Sequence, residues 1–163
     1  MITTKINIKQ HLAEYICSKY GEYTENKSIR FPHRSEIYHA IFHYTEKRPV
    51  NCPVDSGNLE IVLPKPDSSK QPKTYNYLSI QSQKKIERLM DEMFWADFIL
   101  YVEHKRHKTL AKYIDLVFEF RKKYRIISIS EDAMIKYYYR WRKKVRDPEK
   151  RAYKFKKNLD HLP

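Results

Sequence analysis

Glycine is nearly missing from this 163-residue chain, which has two. A Gly-rich phosphate cradle of the GxxxxGK[ST] or GxGxxG kind is therefore excluded, and no GxSxG nucleophile elbow occurs. The same scarcity weighs against an all-β fold built on many tight turns, so helices should dominate. Cysteine is equally scarce. Cys17 and Cys52 lie in unrelated contexts with no CxxC partner, which suggests neither a disulfide framework nor a Cys-based zinc site. Long apolar runs are absent too: nothing approaches the roughly 18 residues of a membrane span. The opening MITTKINIKQ has no apolar core of the secretory type. A cytoplasmic protein without membrane contact is the expectation.

Aromatic and basic residues are plentiful. The chain is 41% apolar and 14% aromatic, too core-rich for a disordered segment, and it carries a net charge of +13. That charge is concentrated. Between Arg121 and Lys157 there are fifteen Lys or Arg against four acids, a net of +11, whereas the other 126 residues hold a net of only +2. A merely solubilising surface intersperses both signs. Concentration on one segment is the footprint of a polyanion partner, and nucleic acid, most simply duplex DNA, fits it.

The spacing of apolar residues predicts an α+β fold. The expected divisions are a small part at 1–66 with short strands and helices, a helical part at 75–147, and a basic tail at 148–163. KINIK (5–9) is a strand candidate. Gln10 to Tyr20 has helical spacing and stops at Gly21, and a second short strand is expected at Ser28 to Phe31. A further helix is expected from Ser35 to Lys47, and Asn58 to Leu63 is the best strand, bounded by Asp55-Ser56-Gly57 and Pro64. The stretch 64–74, with three prolines and no apolar residue, reads as an exposed loop, beyond which everything looks helical.

A long helix capped by Ser79 or Ser82 should reach about His104. Its apolar residues cover more than one face, which calls for burial in the core or across a homodimer formed through the 79–104 helix. Thr109 to Tyr124 predicts an amphipathic helix with Leu110, Tyr113, Ile114, Val117, Phe118 and Arg121 on one stripe, and Glu119 one turn before Lys123. Ser128 and Glu131 fit a capping box for a last helix. On that helix Met134, Tyr138, Trp141 and Val145 fall within about 40° of one line, with Lys136, Tyr139, Arg140 and Lys143 opposite.

One face can therefore pack while the other is cationic. The two helices with the connection RIISI have the proportions of a helix-turn-helix pair spanning 109–146, in which the second helix reads the major groove. An ordinary helical hairpin has similar spacing; the charge concentration favours binding. The expected nucleic-acid contacts are Lys136, Tyr139, Arg140, Lys143 and Arg146, with Arg121, Lys122, Lys123 and Arg125 as phosphate clamps.

The segments KINIKQHLAEYICSKYG, NCPVDSGNLEIVLP and SISEDAMIKYYYRWRKKVR together resemble a group of small bacterial proteins, some carried on mobile elements. The resemblance implies a bacterial, DNA-related setting. It contributes no activity and no site residues.

Other constellations point elsewhere. His39 and His43 have helical metal-ligand spacing, yet the HExxH glutamate is missing, so no metal is expected. His104 and His107 complement a helix end. Pro66-Asp67 with Glu103-His104-Lys105 formally resembles the PD…ExK pattern of Mg²⁺-dependent nucleases, but one acid lies in a Pro-rich loop and the other ends a helix. A binding protein without cofactor or catalytic centre is the expectation. An interaction module for an acidic protein is the alternative, and a metal-dependent nuclease using Asp67, Glu103 and Lys105 the third.

Overall fold

A computed structural model describes residues 2–21, 28–65 and 70–159, with side chains to Arg146. Along the chain run β1 (Thr3–Ile6), α1 (Gln10–Tyr20), α2 (Glu36–Tyr44), β2 (Glu46–Lys47), β3 (Leu59–Val62), β4 (Tyr75–Tyr77), α3 (Ile80–Lys108), α4 (Tyr113–Lys123) and α5 (Glu131–Leu159). The fold is α+β. Its amino-terminal part holds short antiparallel strands and two helices, and its carboxy-terminal half is helical. No helix among the described residues is long and apolar enough to cross a membrane.

The strands form two small ribbons. β1 pairs antiparallel with β3 in the register Thr3↔Val62 to Ile6↔Leu59, and β2 pairs with β4 through Glu46↔Tyr77. β1 lies earlier than the 5–9 expectation for a local reason. Beyond Ile6 the backbone N–H groups go to side chains: Asn7 donates to Gln83 Oε1, Ile8 to Asn58 Oδ1 and Lys9 to Glu87 Oε1. The ladder stops where α3 supplies the acceptors, and α1 begins at once.

The expected strand at 28–31 reduces to a single parallel bridge from Ile29 to Ile61. α2, capped by Ser35, ends at Tyr44 rather than Lys47, because Glu46 and Lys47 join β4. β4 itself was not foreseen in a region that read as wholly helical beyond the Pro-rich loop. It has only three residues.

One core serves both halves. Ile6, Leu12, Ile16, Ile41 and Ile61 from the amino-terminal part join Phe94, Phe98, Phe120 and Tyr138 in a continuous buried cluster. α3 is its axis. Ile86, Met90, Phe94, Phe98 and Val102, four residues apart, form the fully buried row, against which α1, α2 and α4 pack. The partly buried flanks are used too: Trp95 stacks flat on Tyr137 of α5 at 3.6 Å, and Met93 Sδ meets the Tyr20 hydroxyl at 3.6 Å. Most of the wide apolar surface that suggested either core or dimer is buried within the domain, while Leu100 stays 66% exposed. Ser79 is the cap, accepting from the Ser82 N–H.

Three expectations about the last two helices need correction. On α4 the buried residues are Leu116, Val117 and Phe120, while Phe118 is 55% exposed and Ile114 and Leu110 also face outward. The expected stripe counted from Leu110, which precedes the helix, and α3 and α5 lie on the Leu116 and Phe120 side instead. Glu119 accordingly meets Tyr101 Oη (2.9 Å) and Lys105 (3.6 Å) on α3, not Lys123. At the start of α5 the cap is Ser130, whose hydroxyl accepts from the Ala133 N–H, because the helix begins at Glu131 and leaves Ser128 outside.

Candidate nucleic-acid interface

α4 ends in a tight reversal whose backbone is defined bond by bond. The Ile126 N–H donates to the Arg121 carbonyl and the Arg125 N–H to the Lys122 carbonyl, the paired bonds of a Schellman motif. Arg125 occupies the left-handed position at φ 51°, where glycine is the usual choice. RIISI contains no glycine, and the reversal closes without one. Ile126 is buried as the motif's apolar anchor, whereas Ile127 is 80% exposed, and the three isoleucines form no strand.

The rest of the turn is held from α1. Glu14 Oε2 accepts from the Ile127 N–H (2.8 Å), the Ser128 N–H (3.2 Å) and the Ser128 hydroxyl (3.0 Å). One helical turn on, Ser18 Oγ donates to the Tyr124 carbonyl at 2.5 Å. Burial acts to raise the Glu14 pKa, but the Ile127 and Ser128 donors together outweigh it, and the net direction is downward. The amino-terminal part thus supports the reversal that aims α5, a role invisible in the sequence because 113 residues separate Glu14 from Ile127.

α5 lies against α4 along one side and meets α3 through Trp95. Met134 and Tyr138 are fully buried, and the Tyr138 hydroxyl donates to Glu103 Oε1. Burial, the hydrogen bond and the nearby Glu103 charge all push the Tyr138 pKa up. Trp141 is only half-buried, its ring 5.9 Å from that of Tyr138, and Val145 is 44% exposed. The expected core stripe is correct to Tyr138, after which α5 runs out beyond the packed core. Its backbone continues as helix past Pro148 to Leu159, while side chains beyond Arg146 lie outside the described residues.

The expected contact residues separate into groups. Lys136, Tyr139, Arg140, Lys143 and Arg146 are all exposed on α5, with Tyr139 half-exposed. Lys136 pairs with Asp132 at 2.7 Å on the same exposed face, and Arg140 Nε donates to the Lys136 carbonyl. Arg140, Lys143, Lys144 and Arg146 have no carboxylate at ion-pairing distance among the described residues. Lys122, Lys123 and Arg125 are exposed at the reversal, Lys123 lying over the Tyr101 and Tyr124 rings.

Arg121 differs from the phosphate clamp expected of it. It turns inward to Glu131 at 2.6 Å, and its Nε is buried without a partner among the described residues, so it braces α4 to α5.

Asp67 lies outside the described residues. Glu103 is engaged by Tyr138 and lies 3.9 Å from His107, while Lys105 turns to Glu119. The two thus face different partners. His39 and His43 are exposed, each against a neighbouring tyrosine, and no group of three metal-ligating side chains occurs among the described residues. No protein family, no curated protein and no solved structure matches the chain.

Proposed function

We propose that this protein binds duplex nucleic acid, DNA foremost, through the outward face of α5, with the α4–α5 reversal as a second line of phosphate contacts. The observation that carries the proposal is the division of one helix. Met134 and Tyr138 fix its inner side in the core, and Arg140, Lys143, Lys144 and Arg146 stand outside with no carboxylate to neutralise them among the described residues. Cations presented outward on a helix whose inner side is fixed in the core are suited to phosphates, and Tyr139 between them offers a ring and a hydroxyl to bases or sugars. Lys122, Lys123 and Arg125 extend the cationic surface. Arg121 serves as the brace. A transcriptional or mobile-element setting suits such a protein, and binding without strand cleavage suits the separate engagements of Glu103 and Lys105.

The test is electrostatic. With about five phosphates neutralised, log K for a DNA duplex should fall against log salt with a slope of about −4 to −5. Replacing Lys136, Arg140 and Lys143 by glutamine should flatten that slope by two to three while circular dichroism stays unchanged. Undiminished DNA affinity in the folded triple variant rejects the α5 face. Displacement of the DNA by polyglutamate at equal charge concentration favours an acidic protein as the partner instead.

A further inference from the structure

Beside the α5 face lies a second cationic group that sequence spacing did not collect. Arg106, near the end of α3, places its guanidinium carbon 5.0 Å from the centre of the Tyr113 ring, and Arg142 of α5 places its own at 5.4 Å from the same centre. The two charges are thus no more than about 10 Å apart. Arg142 is held further by a 2.5 Å hydrogen bond from Nη1 to the Tyr113 hydroxyl, and Arg106 by a 2.6 Å bond from Nη1 to the Ala111 carbonyl. Each arginine spends one nitrogen on positioning. Neither has a carboxylate at ion-pairing distance among the described residues.

The Tyr113 ring and hydroxyl hold both guanidiniums without neutralising either, so both keep their charge for an anion. The nearby acid, Glu103, is turned to the Tyr138 hydroxyl and His107. Tyr113 is also the first residue of α4, and the Lys112 side chain does not cap that helix. The N–H groups of Tyr113 and Ile114 have no acceptor among the described residues, and Asp115 is the acid in that turn. Arg106, bonded to the Ala111 carbonyl just before α4, borders the open helix start, and Arg142 borders the hydroxyl end of the same tyrosine, so cationic groups flank Tyr113 along its length, an arrangement suited to an oxyanion.

We infer that Arg106, Arg142 and the start of α4 at Tyr113 form a phosphate-binding site, and that its ligand is a backbone phosphate of the nucleic acid carried on α5. The second half of this inference rests on the function proposed above. It follows from continuity: Tyr139 of the α5 face touches the Tyr113 ring at a centroid distance of 5.7 Å, and Arg146 lies on the same side of α5. A phosphate fixed at Tyr113 pins the duplex at the α3–α4 corner and sets its register on α5, a contact that positions without reading sequence.

The experiment uses the full chain and two probes. Inorganic phosphate is titrated at low salt while the amide signals of Tyr113 and Ile114 and the Nε signals of Arg106 and Arg142 are followed by NMR. Saturable shifts at these four groups, weakened about tenfold in Arg106→Gln, are expected. Shifts spread evenly over exposed lysines, with these four unmoved, overturn the site. In the second arm Arg106→Gln should weaken binding to a DNA duplex about fivefold, equally for unrelated sequences, and reduce the salt slope by about one.

Phosphate binding at Tyr113 combined with unchanged DNA affinity in Arg106→Gln overturns the nucleic-acid source and leaves a free phosphate group as the ligand. Failure of the parent protein to bind DNA at all rejects the proposed function, while the phosphate arm still decides the site. Because Arg142→Gln also removes the bond to Tyr113, Tyr113→Phe serves as its control. It keeps the ring beside both arginines and should retain most of the phosphate affinity.

Discussion

Removing the Glu14 carboxylate tests whether the amino-terminal part sets the geometry of the interface. Glu14 accepts three hydrogen bonds from the reversal before α5, all on Oε2. A net hydrogen bond is worth about 1 kcal/mol, more when the acceptor is charged, but three bonds on one partly exposed oxygen are not additive. Glu14→Ala should therefore cost about 2 kcal/mol, and Glu14→Gln, which keeps an acceptor but not the charge, about half of that. For a chain of this size, 2 kcal/mol corresponds to a fall in melting temperature of about 4–8 °C.

The pH dependence has a definite sign. The Glu14 pKa is lowered in the folded state from its ordinary 4.5, so its contribution is complete above that value and is lost as pH falls through the folded pKa. Urea unfolding at several pH values should show the gap between the parent and Glu14→Ala constant from pH 7 to about 5 and closing below. DNA binding adds a readout with opposite signs for two explanations. Deleting an acid raises net charge and by itself strengthens DNA binding, whereas loosening the reversal that aims α5 weakens it. We expect weaker binding with an unchanged salt slope. A Glu14→Ala protein as stable as the parent at pH 7, binding DNA more tightly, refutes the supporting role of α1.

Two further outcomes follow from the backbone. Arg125→Gly should leave stability within about 1 kcal/mol of the parent while Arg125→Val loses more than that, because a β-branched residue is the worse occupant of the left-handed position; urea unfolding distinguishes them. Gly57→Ala should be strongly destabilising, by about 3 kcal/mol or more in the same assay, because the added Cβ would lie 2.1 Å from the Ile6 carbonyl oxygen at the end of β1.

Elements whose register depends on local chemistry were legible in the sequence. The span of α1 was read correctly, as was the inward side of α5 to Tyr138, and the start of α3 was narrowed to Ser79 or Ser82, because stop signals, caps and a 3.6-residue period act over one or two turns. Boundaries set by distant partners were not. β1 stops at Ile6 because Gln83 and Glu87 take the next N–H groups, and α4 turns Phe118 outward because α3 and α5 lie on the other side. The candidate interface divides in the same way. Basic residues four and three apart on α5 declare a face by themselves, but the inward turn of Arg121 needed Glu131 in place, and the meeting of Arg106 with Arg142 needed three helices brought to one corner. A signal for the latter was present in the EHKRHK run and in Arg142 beside Ile135, but nothing in spacing joins them.

The stacked pair of Trp95 and Tyr137 has an optical consequence. The chain has two tryptophans, and both sit where α5 is seated: Trp95 lies flat on a tyrosine of that helix, and Trp141 is part of it, beside Tyr138. The described amino-terminal part has tyrosines but no tryptophan. Emission excited at the red edge of the absorption band therefore comes from one structural joint and reports the docking of α5 against α3 without added dye. Any ligand that shifts, tightens or lifts that helix acts on both fluorophores together.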